Sequence, residues 1–173
     1  MSLSLYDVTV VGFIQTVNAM EGVLQRGFAY CKEQGIDTNE IAHARLHPDM
    51  LPFRFQVFSI VKNSVGAIES ARAALFSRPP DTPDVDYAGL QIMLAEASNK
   101  LKTYERNEVN ALQGREMVFH PGEHKAIFAI EDFLLSFSIP NFHFHATTAY
   151  DILRSKGVPL GKRDYLGRIR AKS

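Results

Sequence analysis

The stretch PNFHFHATTAYDILRSKGVPLGKRDYLG, residues 140–167, combines a helical hydrophobic pattern with a clear helix end. Side chains of one stripe recur in it at intervals of three and four, the spacing of one helix face: Phe142, His145, Ala149 and Ile152. Proline is well placed in a first helical turn, and glycine commonly follows a last one. We therefore predict a helix from about Pro140 to Lys156, with Gly157 as its stop.

The two histidines of HFH, His143 and His145, face different ways on such a helix. Two residues turn a helical side chain by about 200°, whereas two metal ligands on one helix are normally about three or four residues apart. The two histidines are therefore not a chelating pair. We expect His145 to point inward, either as a hydrogen-bonded core histidine or as a pocket residue, and His143 to lie at the surface or in an interface.

Three earlier stretches repeat the helical spacing and predict helices over about residues 6–31, 53–75 and 87–104. Asp49 is the expected N-terminal cap of the second helix, because its carboxylate can accept a hydrogen bond from an unpaired amide of the first turn. The segment SRPPDTPD, residues 77–84, holds prolines and acidic residues that end this helix and start the third.

The segment REMVFHPGEHKAIFAI, residues 115–130, changes to a strand-like alternation of apolar and polar residues. Pro121 and Gly122 suit the two middle positions of a type II turn, so we predict a short β-hairpin. EDFLLSFS, residues 131–138, is predicted as a short helix that Pro140 ends. Four amphipathic helices must bury their apolar faces together. We predict an all-α four-helix bundle with the hairpin between the third and fourth main helices.

The composition of the 173-residue chain is typical of one globular domain over residues 1–173, with a flexible tail over about residues 162–173. Nineteen Lys and Arg residues balance 19 Asp and Glu residues, which argues against nucleic acid or a membrane surface as a partner. Cys31 is the only cysteine and excludes an intramolecular disulfide. The sequence shows neither a secretory signal pattern nor a long apolar run, so we expect a cytoplasmic protein.

No group of residues in the sequence has the spacing of a known metal or cofactor site. His43 and His47 lie in an expected loop, and His120 and His124 flank an expected turn. Neither pair belongs to an H-E-x-x-H arrangement, which presents both rings to zinc from one helix. GVPLGK, residues 157–162, has its glycines too close together for a phosphate-binding loop, and no predicted strand precedes it. We therefore expect neither a metal nor a cofactor.

Two segments, FHFHATTAYDILRSKGVPLGKRDYLG at residues 142–167 and LHPDMLPFRFQ at residues 46–56, resemble the bacterial DUF1993 family, a domain of unknown function. The resemblance spans nearly the whole chain and places it in a branch of the DinB/YfiT-like four-helix superfamily. It implies a dimeric bundle. In the wider superfamily it also implies a divalent metal, held by one histidine of the second helix and two histidines four apart on the last long helix. Some relatives transfer thiol cofactors or isomerise their adducts.

The chain departs from this histidine pattern. Four residues before His145 stands Asn141, a poor substitute for a histidine ligand of a transition metal. Four residues after His143 stands Thr147, and the second helix has no histidine after Phe53. The resemblance therefore implies the fold without implying the metal chemistry.

Our first functional hypothesis is a small-molecule pocket between the second and fourth helices. Its candidate lining residues are polar and ionisable side chains of the two family-like segments: His47, Asp49, His145 and Tyr150. If a reaction takes place there, His145 would be its general acid or base, since the ordinary pKa of histidine lies near neutrality. A metal-dependent transferase or isomerase of the superfamily type is a further alternative.

The second hypothesis is a non-catalytic homodimeric interaction module. Apolar residues of the first helix outside its main stripe would form the interface between two copies: Val11, Ile14, Val23 and Phe28. We expect a homodimer under the pocket hypothesis as well.

Overall fold

The computed structural model describes residues 3–77 and 81–171. Within these residues the helices are α1 (Leu5–Val8), α2 (Val10–Gln34), α3 (Thr38–His43), α4 (Phe53–Lys62), α5 (Val65–Ala73), α6 (Tyr87–Leu101), α7 (Arg106–Asn110), α8 (Ile130–Asp132), α9 (Ile139–Ser155) and α10 (Lys162–Leu166). A π-helical segment, Phe133–Ser138, joins α8 to α9, and the strands are β1 (Leu75–Ser77), β2 (Glu116–His120) and β3 (Ala126–Ala129). None of these helices is long and apolar enough to cross a membrane.

Four helical stretches form the predicted bundle: α2, α4 with α5, α6, and α9. α4 packs against α6 and α9, and α2 packs against the same two helices. The stretches turn their apolar stripes inward, and large side chains from all of them are fully buried in one core: Phe13, Met20, Phe53, Ile60, Tyr87, Leu94 and Phe142. The predicted four-helix fold is confirmed. Burial of these apolar stripes in one core is what holds the helices in place.

The first two long helices are each interrupted where a hydroxyl side chain bonds back to a carbonyl. Thr9 Oγ1 donates to the carbonyl oxygen of Leu5 at 2.6 Å, between α1 and α2. Ser64 Oγ donates to the carbonyl oxygen of Ile60 at 2.7 Å, between α4 and α5. Such bonds compete with the hydrogen bonds of the helix itself and bend it. The prediction of an unbroken first helix is therefore wrong at Thr9, and that of an unbroken second helix is wrong at Ser64.

The second helix also begins differently from the prediction. Asp49 is not its cap, since Pro52 precedes α4 and no side chain caps the first turn. Asp49 instead bonds His47 in the exposed loop before α4. The amide of Phe53 donates to the carbonyl oxygen of Ala44 at 2.9 Å. A backbone carbonyl thus satisfies one of the amides that a capping carboxylate would serve.

The predicted hairpin belongs to a three-stranded sheet with the order β1–β2–β3. β2 and β3 pair antiparallel, and β1 pairs parallel with β2. β1 begins at Leu75, which the prediction places at the end of the second helix. The helix stops at Ala73, and the next residue, Ala74, takes a left-handed conformation with φ 53° and accepts a hydrogen bond from Val118 N at 3.0 Å. Phe76 of β1 then stacks on Phe119 of β2, with their ring centroids 5.1 Å apart.

The connection between β2 and β3 is not the predicted type II turn. That turn requires a positive φ at its third residue, and Gly122 does not have one. The connection spans residues 121–125, and this longer loop reverses the chain without a left-handed residue at its centre. The hairpin itself is present as predicted.

The fourth helix is longer than predicted. It runs from Ile130 through the π-helical segment to Ser155. Pro140 does not end a separate helix: it lies directly after the π-helical segment, in the first turn of α9, and the helix continues through it. Gly157 follows the helix end with φ 91°, as its predicted role as a stop requires.

The predicted flexible tail over residues 162–173 starts as a helix, α10, which packs against α2. Asp164 accepts a hydrogen bond from Gly161 N at 2.8 Å and pairs with Arg26 at 3.2 Å. Gln15 donates to the carbonyl oxygen of Leu166 at 3.0 Å. These contacts correct the prediction for the first part of the tail. Residues 172–173, like 78–80 of the predicted break before the third helix, lie outside the described residues.

The four residues of the first helix that are predicted to form a dimer interface differ in how far their side chains are exposed. Val23 is fully buried in the core, so it cannot contact a second copy. Val11 and Ile14 are half-buried, and Phe28 is 41% exposed. The face of α2 that packs against the core is thus wider than predicted. The homodimer stays a prediction.

Candidate functional site

A cleft of about 410 Å³ opens between α4 and α9. α4 contributes the side chains Phe55, Phe58, Ser59 and Lys62, and α9 contributes Asn141 and His145. β1 and the π-helical segment add Phe76 and Phe137, while Asn63, Asp81 and Thr82 add further polar groups. A volume of this size is within the range of small-molecule pockets, roughly 300–1,000 Å³.

The aromatic part of the lining is fixed by packing behind it. The Phe76 and Phe137 rings meet edge to face at 5.4 Å. Both contact Phe119 of the sheet, with centroid distances of 5.1 and 4.9 Å. Phe133 packs on Phe76 and Phe137 from the π-helical segment. The three-stranded sheet therefore serves the cleft by holding two of its aromatic residues in place.

Gln56 determines which ring nitrogen of His145 carries the proton. His145 itself is half-buried at the cleft. Gln56 Nε2 donates to the carbonyl oxygen of Leu51 at 2.8 Å, which turns Oε1 of the same amide toward His145. Nδ1 of His145 lies 2.8 Å from that oxygen and must donate to it, so Nδ1 carries the proton. Burial lowers the pKa of His145 to about 4, so the ring is neutral at pH 7. Its Nε2 is consequently a hydrogen-bond acceptor.

Asn63 and Asn141 present the same kind of polar atom to the cleft. Asn63 Nδ2 donates to the carbonyl oxygen of Ser59 at 2.9 Å, and Asn141 Nδ2 donates to that of Phe137 at 2.7 Å. Each amide nitrogen is thereby used, and each Oδ1 remains. Within the described residues, neither Oδ1 nor Nε2 of His145 has a hydrogen-bond partner. Because no buried side-chain nitrogen or oxygen there is unpaired, these three acceptors are accessible to solvent.

Two irregular helix segments meet beside the cleft. One is the break between α4 and α5, and the other is the π-helical segment. Ser138 Oγ joins them by donating to the carbonyl oxygen of Asn63 at 2.8 Å. π-helical turns are rare and frequently accompany functional sites. Here the irregular segments contribute Asn63 and Phe137 to the lining.

Of the four predicted ligand-binding residues, His145 lines the cleft and the other three lie outside its lining. His47 and Asp49 bond to each other in the loop before α4, with side chains 66% and 79% exposed. Tyr150 is half-buried against the core, with its ring centroid 6.0 Å from that of Tyr165. The structure therefore does not bring His47, Asp49 and Tyr150 together with His145.

His143 lies on the outer face of α9, opposite the cleft, and contacts the C-terminal helix. Thr147 Oγ1 donates to the hydroxyl of Tyr165 at 3.1 Å, and the same hydroxyl lies 3.3 Å from Nδ1 of His143. A tyrosine hydroxyl can accept from one partner and donate to the other. The two histidines of HFH thus serve separate places, His145 at the cleft and His143 beneath α10.

Sequence reasoning missed most of the lining because it searched for ionisable residues in the family-like segments. Lys62 and the phenylalanines of α4 form a second stripe beside the core stripe. The positions of Phe55, Ser59 and Lys62 follow each other at intervals of four and three, as one helix face requires. This second stripe is the signal that would have indicated the α4 side of the cleft.

The residues present do not fit the metal site that the superfamily resemblance implies. That site needs three imidazoles, whereas the described lining offers one imidazole nitrogen, two amide oxygens and the carboxylate of Asp81. Gln56 also occupies Nδ1 of the imidazole. Within residues 3–77 and 81–171, no three His, Cys, Asp or Glu side chains are grouped as metal ligands would be. The described residues of the cleft therefore do not reproduce the metal site of the superfamily.

Alanine substitutions distinguish the two histidines of HFH. His145→Ala is expected to lower the free energy of unfolding by about 2 kcal/mol, because it leaves a void and removes the partner of the buried Gln56 oxygen. His143→Ala should cost less than about 0.5 kcal/mol, because water can replace an exposed bond. Urea unfolding of both variants measures the difference. Equal costs would contradict the structural role assigned to His145.

Comparisons with known proteins bear on the family and the fold. The model of the family described as "Domain of unknown function (DUF1993)" matches residues 5–166. No curated protein matches the chain. Among solved structures, a DinB family member protein from Shewanella denitrificans is similar, with 24% sequence identity and a TM-score of 0.82. The alignment covers 98% of this chain and 95% of that one. At this identity the likeness concerns the fold.

Proposed function

The chain belongs to the DUF1993 family, and we propose that it binds a small molecule in the cleft between α4 and α9. The observation that carries the proposal is the set of unused acceptors in an aromatic-walled cleft: Nε2 of His145 and the side-chain oxygens of Asn63 and Asn141. Ligand sites typically combine an apolar concave wall with a few polar atoms that converge on it.

The surroundings of His145 favour this proposal over a purely interacting module. A histidine with only a structural role would be sealed by apolar side chains, whereas His145 lines the cleft and keeps one unpaired ring nitrogen accessible to solvent. Its lowered pKa, about 4, makes it a poor general acid near pH 7, since little of it is protonated there. In a reaction, Nε2 would act as a base of modest strength or as a hydrogen-bond acceptor that orients the ligand.

Fragment binding followed by nuclear magnetic resonance tests the proposal. A mixture of small aromatic fragments at about 1 mM should shift the backbone amide signals of Ser59, Lys62, Asn63, Asn141 and His145, a concentration suited to ligands with dissociation constants near that value. The matched control is Ser59→Phe, which fills the cleft with a ring. It should abolish the shifts while its amide spectrum remains that of a folded protein. Fragments that shift only residues outside the lining, or no residues at all, would contradict the proposal.

A further inference from the structure

We infer that the ligand of this cleft is a small aromatic acid that also carries a hydroxyl or amino group. The inference rests on the proposed function and specifies its ligand class. It follows from what the described part of the lining offers: several acceptors, the ammonium group of Lys62 and a set of phenylalanine rings.

The acceptors require a hydrogen-bond donor on the ligand. Asn63, Asn141 and Gln56 each use their amide nitrogen on a backbone carbonyl, at 2.9, 2.7 and 2.8 Å. Gln56 then accepts from His145, so the imidazole can offer only its unprotonated Nε2. The carboxylate of Asp81 adds a fourth acceptor to the lining. A carbonyl or ether oxygen would face these atoms without a proton between them, whereas a hydroxyl or amino group supplies that proton.

Lys62 favours an acidic group on the ligand. It is half-buried in the lining, and within the described residues it takes part in none of the ion pairs. The nearby Arg54 is, by contrast, already paired with Asp84. A lysine ammonium is a compact point charge, and apolar walls strengthen its attraction to a carboxylate by lowering the local dielectric.

The aromatic residues select the body of the ligand. Phe55 and Phe58 on α4 and Phe76 and Phe137 on the opposing elements line one cleft. Rings of this kind favour another ring, in offset or edge-to-face contact. The cleft volume of about 410 Å³ holds a single ring with short substituents and leaves little room for a large cofactor.

Three probes that differ by one group each test the inference. 4-Hydroxyphenylacetate carries both groups, phenylacetate lacks the hydroxyl, and 4-hydroxyphenylacetamide lacks the charge. Titrations of the intact protein followed by amide signals should show 4-hydroxyphenylacetate binding about tenfold more tightly than either of the other two. Each lost group leaves a protein atom without its partner, and this is the source of the discrimination.

Variants assign each preference to its residue. Lys62→Met should remove the preference for the acid over the amide and keep the preference for the hydroxyl. Asn141→Leu should do the reverse, because the leucine side chain has no acceptor. Lys32→Met, an exposed change on α2 away from the cleft, should leave all three affinities unchanged.

The outcomes separate this inference from the proposed function. If the three probes bind at the cleft with equal affinity, the ligand class is wrong and the binding site stands. If Lys62→Met weakens the amide as much as the acid, Lys62 does not recognise charge and the inference fails. If neither the probes nor the fragment mixture shifts cleft residues, both proposals fail together.

Discussion

Gly27→Ala is expected to lower the free energy of unfolding by about 3 kcal/mol. A Cβ at this position on α2 would lie well inside the contact distance of the Tyr87 hydroxyl, and 3.2 Å from a methyl group of Leu153. Tyr87 cannot move aside, because it is fully buried, donates to the carbonyl oxygen of Leu24 at 2.9 Å and stacks on Phe53 at 5.7 Å. Overpacking and the loss of this hydrogen bond therefore act together.

Gly22→Ala is the matched control for that substitution. Gly22 lies on the same helix, is exposed, and would place its Cβ where no atom lies within 4 Å. Alanine has a higher helix propensity than glycine, so this variant should gain about 0.5–1 kcal/mol. Urea unfolding of both variants measures the contrast. A loss of similar size at both positions would mean that helix propensity, and not the contact with Tyr87, governs Gly27.

The sign of a second substitution identifies the contact. In the parent protein, Tyr87→Phe removes the bond to Leu24 and should cost about 1–2 kcal/mol. In the Gly27→Ala background the same change removes the atom that the new methyl group meets, so it should restore about 1 kcal/mol or more. Tyr87→Phe that destabilises both backgrounds equally would exclude this contact as the cause.

Lowering the pH from 7 to 4.5 should reduce the free energy of unfolding of the parent protein by about 2 to 3 kcal/mol more than that of His145→Gln. Burial lowers the pKa of His145 in the folded state to about 4, from the ordinary histidine value of 6.5. Between these values the unfolded chain binds a proton that the folded chain does not. The contribution of neutral His145 to the free energy of unfolding is therefore complete above about pH 6.5 and is lost as the pH falls toward 4.

The difference between the two proteins is the quantity to measure. Other groups also respond to acid, such as Asp7, whose pKa the hydrogen-bonded Arg106 guanidinium holds below its usual value. These contributions cancel when His145→Gln is compared with the parent. Glutamine keeps a polar end near Gln56 and does not titrate. Parallel urea titrations that keep a constant difference across this range would show that His145 titrates normally in the folded state.

The sequence predicts the helix phases well and the irregular elements poorly. The separation of His145 from His143 follows from helix period alone, which is a local property. The break at Ser64 was missed because that residue keeps the core spacing and is buried, so the stripe continues through the interruption. β1 was missed because a three-residue strand has no pattern of its own and depends on β2, more than 40 residues later.

The cleft was only partly predictable for a related reason. His145 was found from its place on the inward stripe. The acceptor character of Asn63 and Asn141 depends on which end of each amide the helix backbone uses, and this becomes visible only in three dimensions. His47 and Asp49 are predicted as lining residues because they are ionisable side chains of a family-like segment, yet they bond to each other in the loop.

His143 and His145 of HFH lie close together on α9 but contact two different parts of the protein. A change in chain length before them therefore affects both parts. A single turn of α9 supplies His145 to the cleft and His143 with Thr147 to Tyr165 of α10. Inserting or deleting one residue N-terminal to this turn would rotate it by about 100° relative to the preceding segment, and both sets of contacts would change at once. The stretch from the π-helical segment through this turn can therefore vary by substitution but not by a change in length.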